Sequence, residues 1–390
     1  MESFDVAVVG AGPAGSSTAI FLARRGYSVA LLDKETFPRE KLCGDFVNPA
    51  NWPILRELDV EEAILSRLHE RVKKFRLTSF SGEEAEVPLL VDQDTSPGLG
   101  LRRLDFDHVL FEKAKSGGVV SRQGFRIKEL NRTNQGWYLA VDDSQSIEQI
   151  SAKVVVGADG RNSWVARRLR LTGRAEREGR AIGFQVRLRG ANLTRGKIEI
   201  HLFPGGYAGI VGVGDRTATL GFAIDKVRFR NRQSLDQLLD TTLSVNPALK
   251  EIICRSEVIG EARSTYPVYF PPRRSWGDRA LLVGDAARVN EPVSGEGIYF
   301  AMKSGELAAK ALDEAFRAGD FSAARLRSYQ RDCQSAFRLR RGINAIMRWF
   351  IYRPAMLAPL IRLSRKRTGL LDSIIHTICT PETTAEKALG

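Results

Sequence analysis

The chain has 390 residues, of which 43% are hydrophobic, and a formal net charge of +13 at pH 7. This length and composition allow a sizeable core and roughly two or three structural units. We expect neither a signal peptide nor a transmembrane helix, because the chain begins directly with a strand pattern and no segment holds about 18 uncharged apolar residues. The positive charge predicts an anionic partner, either nucleic acid or lipid. The cysteines lack metal-ligand spacing, which argues against a metal site and suits a reducing cytoplasm: Cys43, Cys254, Cys333 and Cys379.

The N-terminal stretch has the pattern of a dinucleotide-binding unit. Residues 6–9 form an apolar run, typical of a strand buried on both faces of a parallel sheet. Three glycines follow at G-x-G-x-x-G spacing, and a helix predicted over residues 13–25 points its first N–H groups at the phosphates. A carboxylate at the end of the second strand, predicted over residues 27–32, would accept hydrogen bonds from a ribose 2′-OH. The cofactor-binding candidates of this unit are Gly10, Gly12, Pro13, Ala14, Gly15 and Asp33.

The next loop carries basic residues that could neutralise the phosphates of a cofactor. We expect this role for Arg39 and Lys41, and we count Lys34 among the cofactor-binding candidates; the alternative is a solvated surface loop. Cys43 and Gly44 follow in the same loop. Cys43 has no partner thiol in the pattern, and the residues alone leave a structural and a functional role equally open.

The middle of the chain alternates between helical and strand patterns. Gly209, Gly212 and Gly214 suggest a second dinucleotide loop, but no helix pattern follows them, so we expect strands pressed against a ligand. The predicted elements are two short helices in residues 51–69, a strand–turn–strand over 71–90, a helix over 104–116, a strand over 137–141, an antiparallel sheet over 180–224 and helical segments in 234–254.

Two further apolar strands end in glycine and aspartate. After the first, Asp159 could cap the next helix or touch a ligand. After the second, Asp285 could bind a polyol chain. Residues 291–297 open a long predicted helix through Phe316, whose N–H donors and dipole would favour the negative charge on a reduced isoalloxazine ring. The candidates of these two motifs are Asp159, Gly284, Asp285, Gly295, Glu296 and Gly297.

The C-terminal region, residues 331–390, is basic and apolar. Between Asp332 and Asp372 there is no acidic residue, and Pro354 and Pro359 break any single long helix. This composition is typical of an interfacial amphipathic helix, and the alternative is a docked C-terminal helix with a basic outer face. We expect an anionic membrane surface as its partner and no nucleic acid, because no nucleic-acid motif is present. Its basic residues are Arg338, Arg340, Arg341, Arg348, Arg353, Arg362, Arg365, Lys366 and Arg367.

Taken together, the three strand-end motifs resemble those of the flavoprotein oxidoreductases with the para-hydroxybenzoate hydroxylase fold, over residues 4–319. The resemblance implies that FAD binds through the N-terminal unit, and it adds Arg103, in an R-x-x-F-D pattern, to the cofactor-binding residues. Within that family, residues 295–305 are similar to the flavin loop and helix of the geranylgeranyl reductases, and so is Cys43-Gly44. The matching cysteine lies near the flavin in those enzymes, which implies a catalytic role for Cys43 and adds Cys43 and Gly44 to the cofactor-binding candidates.

The resemblance also implies the architecture. We expect an α/β fold with an antiparallel sheet: a Rossmann-type FAD-binding domain, a sheet on the substrate side of the flavin and a C-terminal helical region. The expected FAD-binding domain comprises residues 1–70, 99–180 and 265–330, the substrate domain 71–98 and 181–264, and the basic helical region 331–390. We expect a cytoplasmic protein that attaches peripherally to the inner face of the membrane.

The reaction implied by the resemblance is reduction of an isoprenoid-type double bond in a large apolar substrate, with NAD(P)H as the electron donor. The alternative is flavin-dependent hydroxylation of an apolar or aromatic, lipid- or polyketide-like substrate, because residues 203–211 look closer to such hydroxylases and to halogenases. The tryptophan signature of the halogenases is absent, which argues against halogenation. A non-enzymatic FAD-stabilised scaffold or nucleic-acid binder is a third hypothesis. The histidines are isolated and form neither an H-x-x-x-H nor a Ser/His/Asp pattern, so we assign them no chemistry. No side chain stands out as an essential acid or base, as expected when the cofactor carries the chemistry.

Overall fold

The computed structural model describes residues 1–89, 94–143, 146–172, 181–190, 194–227, 229, 234–268, 271–288, 294–351, 353, 361 and 369–380. Several residues singled out in the sequence lie outside these ranges, among them residues 291–293, Pro354, Pro359, Arg362, Arg365, Lys366 and Arg367.

Strands make up three sheets. They are β1 (Glu2–Val9), β2 (Val29–Asp33), β3 (Phe46–Val47), β4 (Glu70–Val72), β5 (Lys74–Thr78), β6 (Glu84–Pro88), β7 (Gly98–Gly100), β8 (Val120–Gln123), β9 (Arg126–Arg132), β10 (Trp137–Asp142), β11 (Ile147–Gly157), β12 (Ala181–Arg189), β13 (Lys197–Phe203), β14 (Gly206–Gly214), β15 (Thr217–Asp225), β16 (Glu257–Thr265), β17 (Trp276–Gly277) and β18 (Ala280–Leu282).

Helices cover the sheets. They are α1 (Pro13–Ala23), α2 (Trp52–Glu57), α3 (Glu61–Leu65), α4 (Arg103–Ser116), α5 (Trp164–Arg168), α6 (Leu235–Gln237), α7 (Pro247–Cys254), α8 (Gly297–Ala318), α9 (Ala323–Ala336), α10 (Arg338–Ile351) and α11 (Gly369–Cys379). Shorter helical turns lie at Pro49–Asn51, Leu238–Thr242, Leu243–Val245 and Gly284–Ala286.

The first sheet has the strand order β17-β18-β11-β1-β2-β8, and β10 and β9 extend it from β11. The central strands are parallel, with Val6 of β1 opposite Val29 of β2 and Val154 of β11. Residues 6–9 of β1 are buried on both faces of the sheet, as their apolar sequence predicts. The carboxyl ends of these parallel strands meet at one edge of the sheet, where open α/β sheets bind ligands.

Helices α1 and α8 lie against this sheet and approach each other closely. A Cβ on Gly305 of α8 would lie 2.5 Å from the Ser17 hydroxyl oxygen of α1, so only glycine fits at that position. Helix α1 ends at Ala23, earlier than predicted, because the chain turns at Gly26, which has a φ of +86°. Helix α8 ends at Ala318 and is followed by Gly319 in the left-handed conformation, a common helix terminus.

The second sheet has the order β16-β12-β15-β14-β13-β5-β6 and is antiparallel except between β13 and β5. One face packs on residues 235–254, where Leu238, Leu243 and Leu249 are buried. Side chains of α11 pack with Phe75 of β5 on the other face. The predicted α/β fold with an additional antiparallel sheet is confirmed, although β16 and α9 were not predicted.

Candidate functional site

A cavity of about 790 Å³ extends from the carboxyl ends of the parallel strands to the second sheet. It has a polar end and an apolar end. The sequence-predicted residues that line it are Gly10, Gly12, Pro13, Ala14, Asp33, Lys34, Arg39, Cys43, Gly44, Arg103, Asp159, Asp285, Gly295 and Gly297. The fold therefore brings most of the predicted site residues to one cavity, although they come from widely separated parts of the chain.

The glycines after β1 form a cradle at the polar end. Gly10 has a φ of +104°, and a Cβ on it would lie 2.4 Å from the Ala158 carbonyl oxygen. A Cβ on Gly15 would lie 1.7 Å from the Gly10 carbonyl oxygen, so glycine is required there for α1 to pack on the end of β1. A Cβ on Gly12 would instead meet the Arg39 guanidinium at 3.5 Å. The space beside Gly12 thus belongs to the cavity, where a ligand can approach the backbone.

Asp33 is buried at the end of β2 and joins that strand to the cradle. Its carboxylate accepts hydrogen bonds from the backbone N–H groups of Ala11, at 2.7 Å, and Glu35, at 2.9 Å. A carboxylate has lone pairs for further hydrogen bonds, and Asp33 lines the cavity. Its geometry is therefore compatible with the predicted ribose contact, which stays a prediction.

Basic side chains surround the polar end. Arg39 and Arg103 both pair with the buried Asp107, at 3.0 and 2.6 Å. Burial lowers the pKa of Lys41, and the Asp285 carboxylate opposes this shift. Arg161 lies 3.4 Å from Asp285 and, like Lys41, lines the cavity. A cationic cavity wall beside a glycine cradle suits the pyrophosphate of a dinucleotide.

The two aspartate motifs differ in how they meet the cavity. Asp159 accepts hydrogen bonds from the backbone N–H groups of Trp164, at 2.7 Å, and Val165, at 3.0 Å, and it also lines the cavity. It therefore caps α5 while it also borders the cavity. Gly284 was predicted to touch the cofactor, but it does not line the cavity. A Cβ on it would lie 2.8 Å from the Ala14 Cβ, so its role is close packing against α1.

Glu296 also differs from the expectation. Its side chain is buried outside the cavity lining, where it pairs with Arg340 and accepts a hydrogen bond from Asn344 at 3.2 Å. This carboxylate is thus directed to α10, and the predicted contact of Glu296 with the cofactor stays a prediction. Its neighbours Gly295 and Gly297 do line the cavity, at the N-terminus of α8. Gly295 has a φ of +69°, and a Cβ there would lie 3.1 Å from the ring of Phe46.

Cys43 and Gly44 lie where the polar end meets the second sheet. Cys43 is half-buried, and Arg103 is within hydrogen-bonding reach of it. Burial raises the pKa of the Cys43 thiol, and the Arg103 guanidinium opposes the shift. A Cβ on Gly221 of β15 would lie 3.8 Å from the Gly44 Cα, so this loop rests against the sheet. Cys43 is thus placed between the cofactor candidates and the second sheet.

Asp45 is a site residue that the sequence patterns did not indicate. It is buried and has a φ of 56°, a conformation that aspartate tolerates better than most residues. Its carboxylate accepts hydrogen bonds from the Arg103 backbone N–H at 2.9 Å, from Arg187 at 2.9 Å and from the Thr219 hydroxyl at 2.7 Å. Burial raises the pKa of Asp45, and Arg187 opposes this. Asp45 therefore fixes the Cys43 loop to the sheet.

The apolar end is a chamber between the second sheet and the C-terminal helices. The sheet contributes one wall, and α10 and α11 contribute a roof that sequence reasoning did not place there. The wall residues include Phe75, Ile198, Ile200, Tyr207 and Val211. The roof residues are Met347, Ile375, Ile378 and Cys379. Of the three glycines expected against a ligand, Gly209 lines the cavity, whereas Gly212 packs against Gly100 of β7. Among the described residues, no histidine lines the cavity.

The described residues fit FAD. The cradle would take the ADP half, with Asp33 at the ribose and the basic side chains at the pyrophosphate. The N-terminus of α8 at Gly295 and Gly297 would take the flavin end, since these glycines leave room for a close approach. Across the part of the chain that the structure describes, no group of three His, Cys, Asp or Glu side chains is arranged to hold a metal ion.

Comparison with known proteins agrees with this geometry. The sequence model of a family described as FAD binding domain matches residues 3–339. The chain is 29% identical to conditioned medium factor receptor 1 of Dictyostelium discoideum over 393 residues, which cover 93% of this chain and 74% of that protein. It is 27% identical to digeranylgeranylglycerophospholipid reductase 2 of Methanopyrus kandleri over 339 residues, covering 84% and 81%. It is also 27% identical over 331 residues to 1H-pyrrole-2-carbonyl-(peptidyl-carrier protein) brominase of Pseudoalteromonas luteoviolacea, covering 82% and 80%.

Solved structures show the same fold. A geranylgeranyl bacteriochlorophyll reductase-like protein from Thermoplasma acidophilum superposes with a TM-score of 0.79 at 24% identity, covering 93% of this chain and 91% of that chain. A flavin-dependent brominase superposes with a TM-score of 0.78 at 23% identity, covering 97% and 94%. The match of the family over residues 3–339, together with a cavity that fits the cofactor, shows that the chain belongs to the FAD binding domain family and is an FAD-dependent enzyme.

Proposed function

We propose that the enzyme reduces an isoprenoid-type carbon–carbon double bond in a large apolar substrate, with electrons from NAD(P)H. The observation that carries this proposal is the apolar chamber, which meets the cofactor site at Cys43 and is covered by α10 and α11. FAD, when bound and reduced, supplies a hydride to the substrate. The similarity to a digeranylgeranylglycerophospholipid reductase supports this class of substrate.

Reduction of a double bond requires a proton as well as a hydride, and we propose that Cys43 donates this proton. Because burial raises the pKa of this thiol, it stays protonated at neutral pH. The proton passes from Sγ to the substrate carbon that does not receive the hydride, and solvent then restores the thiol. The Arg103 guanidinium, within reach of Sγ, stabilises the negative charge that remains on sulfur in between. The apolar walls orient the chain of the substrate and exclude water.

The proposal is tested by product analysis. The FAD-loaded enzyme is incubated anaerobically with NADPH or NADH and with geranylgeraniol, an isoprenoid alcohol. The molecular masses of the products are then measured by mass spectrometry. We expect products that carry two additional hydrogen atoms for each double bond reduced. Cys43→Ser should lower turnover while FAD stays bound, and the exposed Cys254→Ser is the matched control. A complete lack of hydrogenated product with isoprenoid alcohols and prenyl lipids would contradict the proposal.

Hydroxylation of an apolar or aromatic substrate is the second candidate. It is favoured by Tyr207 and Val211 of β14, which line the chamber within the stretch that resembles flavin-dependent hydroxylases. Such an enzyme consumes oxygen in step with product and forms nothing without it. Chloride and bromide are added to parallel aerobic reactions, because a brominase is among the relatives. A halogenated product would overturn both proposals.

We also propose that α10 brings the enzyme to an anionic membrane surface. Its outward face carries apolar side chains that are 41% exposed at Leu339, 60% at Ile346 and 43% at Trp349. Arg338 and Arg353 are exposed beside them. The polar Arg340 and Asn344 are buried on its inner side, so part of the polar surface of this helix faces inward while these apolar side chains face outward. An apolar strip flanked by positive charge is complementary to an anionic lipid interface.

Membrane binding is measured by co-sedimentation with liposomes of phosphatidylserine and phosphatidylcholine. Each arginine near the surface contributes about 1 kcal/mol, screened by salt, and the apolar strip adds a part that salt does not remove. We expect the enzyme to bind the liposomes that contain anionic phosphatidylserine and to bind neutral liposomes only weakly. The double variant Ile346→Ser, Trp349→Ser should lose its binding to the anionic liposomes. Val227→Ser, at an apolar residue that is 91% exposed elsewhere, is the control. Equal binding to anionic and neutral liposomes, or a concentration-dependent dimer that hides the strip, would contradict the proposal.

Among the described helices, none has the length and apolar character needed to cross a bilayer.

A further inference from the structure

A buried ion pair connects the C-terminal helices to the loop before α8. Arg340 of α10 is 1% exposed and Glu296 is fully buried, and their charged groups are in contact. The Glu296 carboxylate also accepts hydrogen bonds from the Ser294 hydroxyl at 2.5 Å and from Asn344 at 3.2 Å. Because a buried carboxylate is costly without partners, this cluster holds the loop against α10.

The same guanidinium reaches two further elements. It donates hydrogen bonds to the carbonyl oxygens of Ile378, at 2.8 Å, and Thr380, at the end of α11. Its central carbon lies 4.5 Å from the ring centroid of Tyr299 in α8. The last carbonyl groups of a helix have no partner within the helix, so this cation satisfies the end of α11. The planar, multi-donor guanidinium can serve a carboxylate, carbonyls and an aromatic face together, which a lysine ammonium cannot.

Both segments joined by Arg340 line the cavity. Gly295 and Gly297 come from the loop side, where the flavin end of FAD fits, and Ile375 and Ile378 come from the roof of the apolar chamber. We propose that Arg340 is a positioning residue that couples the roof to the flavin loop, so that FAD binding at the loop also orders α11. The inference rests on the FAD site but not on the proposed reaction, and its failure is therefore separate from that of the reduction.

Conservative variants test the coupling. Arg340→Ala would leave the buried Glu296 carboxylate without its cationic partner, and this variant is expected to fold poorly. Arg340→Lys and Glu296→Gln are therefore the informative changes. Arg341→Lys makes the same chemical change at the next position of α10, about 100° around the helix from the Glu296 contact, and is the matched control.

Hydrogen–deuterium exchange with and without FAD reports the coupling directly. In the unmodified enzyme we expect FAD to slow exchange both in residues 294–300 and in residues 369–379. In Arg340→Lys the protection of residues 294–300 by FAD should remain, whereas that of residues 369–379 should fall at least threefold. Arg341→Lys should behave like the unmodified enzyme. The proposal would be overturned if FAD slowed exchange in residues 369–379 as much in Arg340→Lys as in the unmodified enzyme. It would also be overturned if FAD did not slow exchange in these residues of the unmodified enzyme.

The FAD dissociation constant gives an independent measure. We expect Arg340→Lys and Glu296→Gln each to raise it about tenfold, and the double variant to raise it no further than either single variant, because both changes break one contact. A role of the two residues in general stability alone would leave the dissociation constant of the folded protein unchanged. Multiplicative effects, about a hundredfold in the double variant, would show that the two residues act separately and would contradict the coupling.

Discussion

Replacement of Gly12 by alanine should weaken FAD binding without destabilising the protein itself. Gly12 precedes α1 with a φ of −71° and a ψ of −175°, a conformation that alanine adopts readily. A Cβ there would meet the Arg39 guanidinium at 3.5 Å, which is an ordinary contact. The methyl group would therefore occupy the space that the pyrophosphate needs, and no part of the folded chain would have to move.

The magnitudes separate this effect from a general loss of stability. Alanine is a poorer helix cap than glycine by about 0.5 to 1 kcal/mol, but it also reduces the entropy of the unfolded chain by about 0.4 to 1 kcal/mol. We expect these terms to leave the free energy of unfolding within about 0.5 kcal/mol of its original value. If the pyrophosphate can no longer approach the backbone at Gly12, the FAD dissociation constant should rise about 10- to 100-fold. This change corresponds to a loss of about 1.4 to 2.8 kcal/mol of binding free energy.

Urea denaturation of the FAD-free protein and fluorescence titration with FAD measure the two quantities. Gly15→Ala should instead destabilise the FAD-free protein, because its Cβ would lie 1.7 Å from the Gly10 carbonyl oxygen. Gly277→Ala, whose Cβ would have a contact of 3.8 Å outside the cavity, is the neutral control. If Gly12→Ala binds FAD as tightly as the unmodified protein, the assignment of the cradle to the pyrophosphate is wrong.

Three further predictions concern single side chains. Iodoacetamide at pH 8 should modify the exposed Cys254 well before Cys43, whose pKa is raised by burial; equal rates by peptide mass spectrometry would contradict this. Burial lowers the pKa of His201 from 6.5 to about 3. Below pH 6.5 the imidazole of the unfolded chain therefore binds a proton that the native protein does not bind, and the free energy of unfolding decreases as the pH is lowered. The loss should reach about 2 kcal/mol near pH 5 and vanish in His201→Gln but not in His69→Gln, as measured by urea denaturation across pH. Asp33→Ala should weaken FAD retention while leaving the protein folded, checked by flavin absorbance after gel filtration and by circular dichroism.

The motif after β1 could be predicted because its requirements are local. Gly10 and Gly15 are needed by the turn and by the contact of α1 with the strand end, and their spacing alone expresses both needs. The predicted membership of the FAD-dependent oxidoreductases rests on such strand-end motifs, and the family match confirms it. The positive φ of Asp45 had no comparable signal, because it depends on partners in β12 and β15 that lie far along the chain.

The orientation of the C-terminal region depends on long-range packing. Composition and periodicity predict that residues 331–390 are helical, basic and apolar. They could not determine which face turns inward, because that depends on the carboxylate that α10 meets. Arg340 is buried because its partner Glu296, 44 residues earlier, lies in the loop at the cavity. The apolar side chains of Ile346 and Trp349 consequently face outward. Periodicity fixes which residues share a face, whereas long-range packing and charge pairing choose the face that is buried.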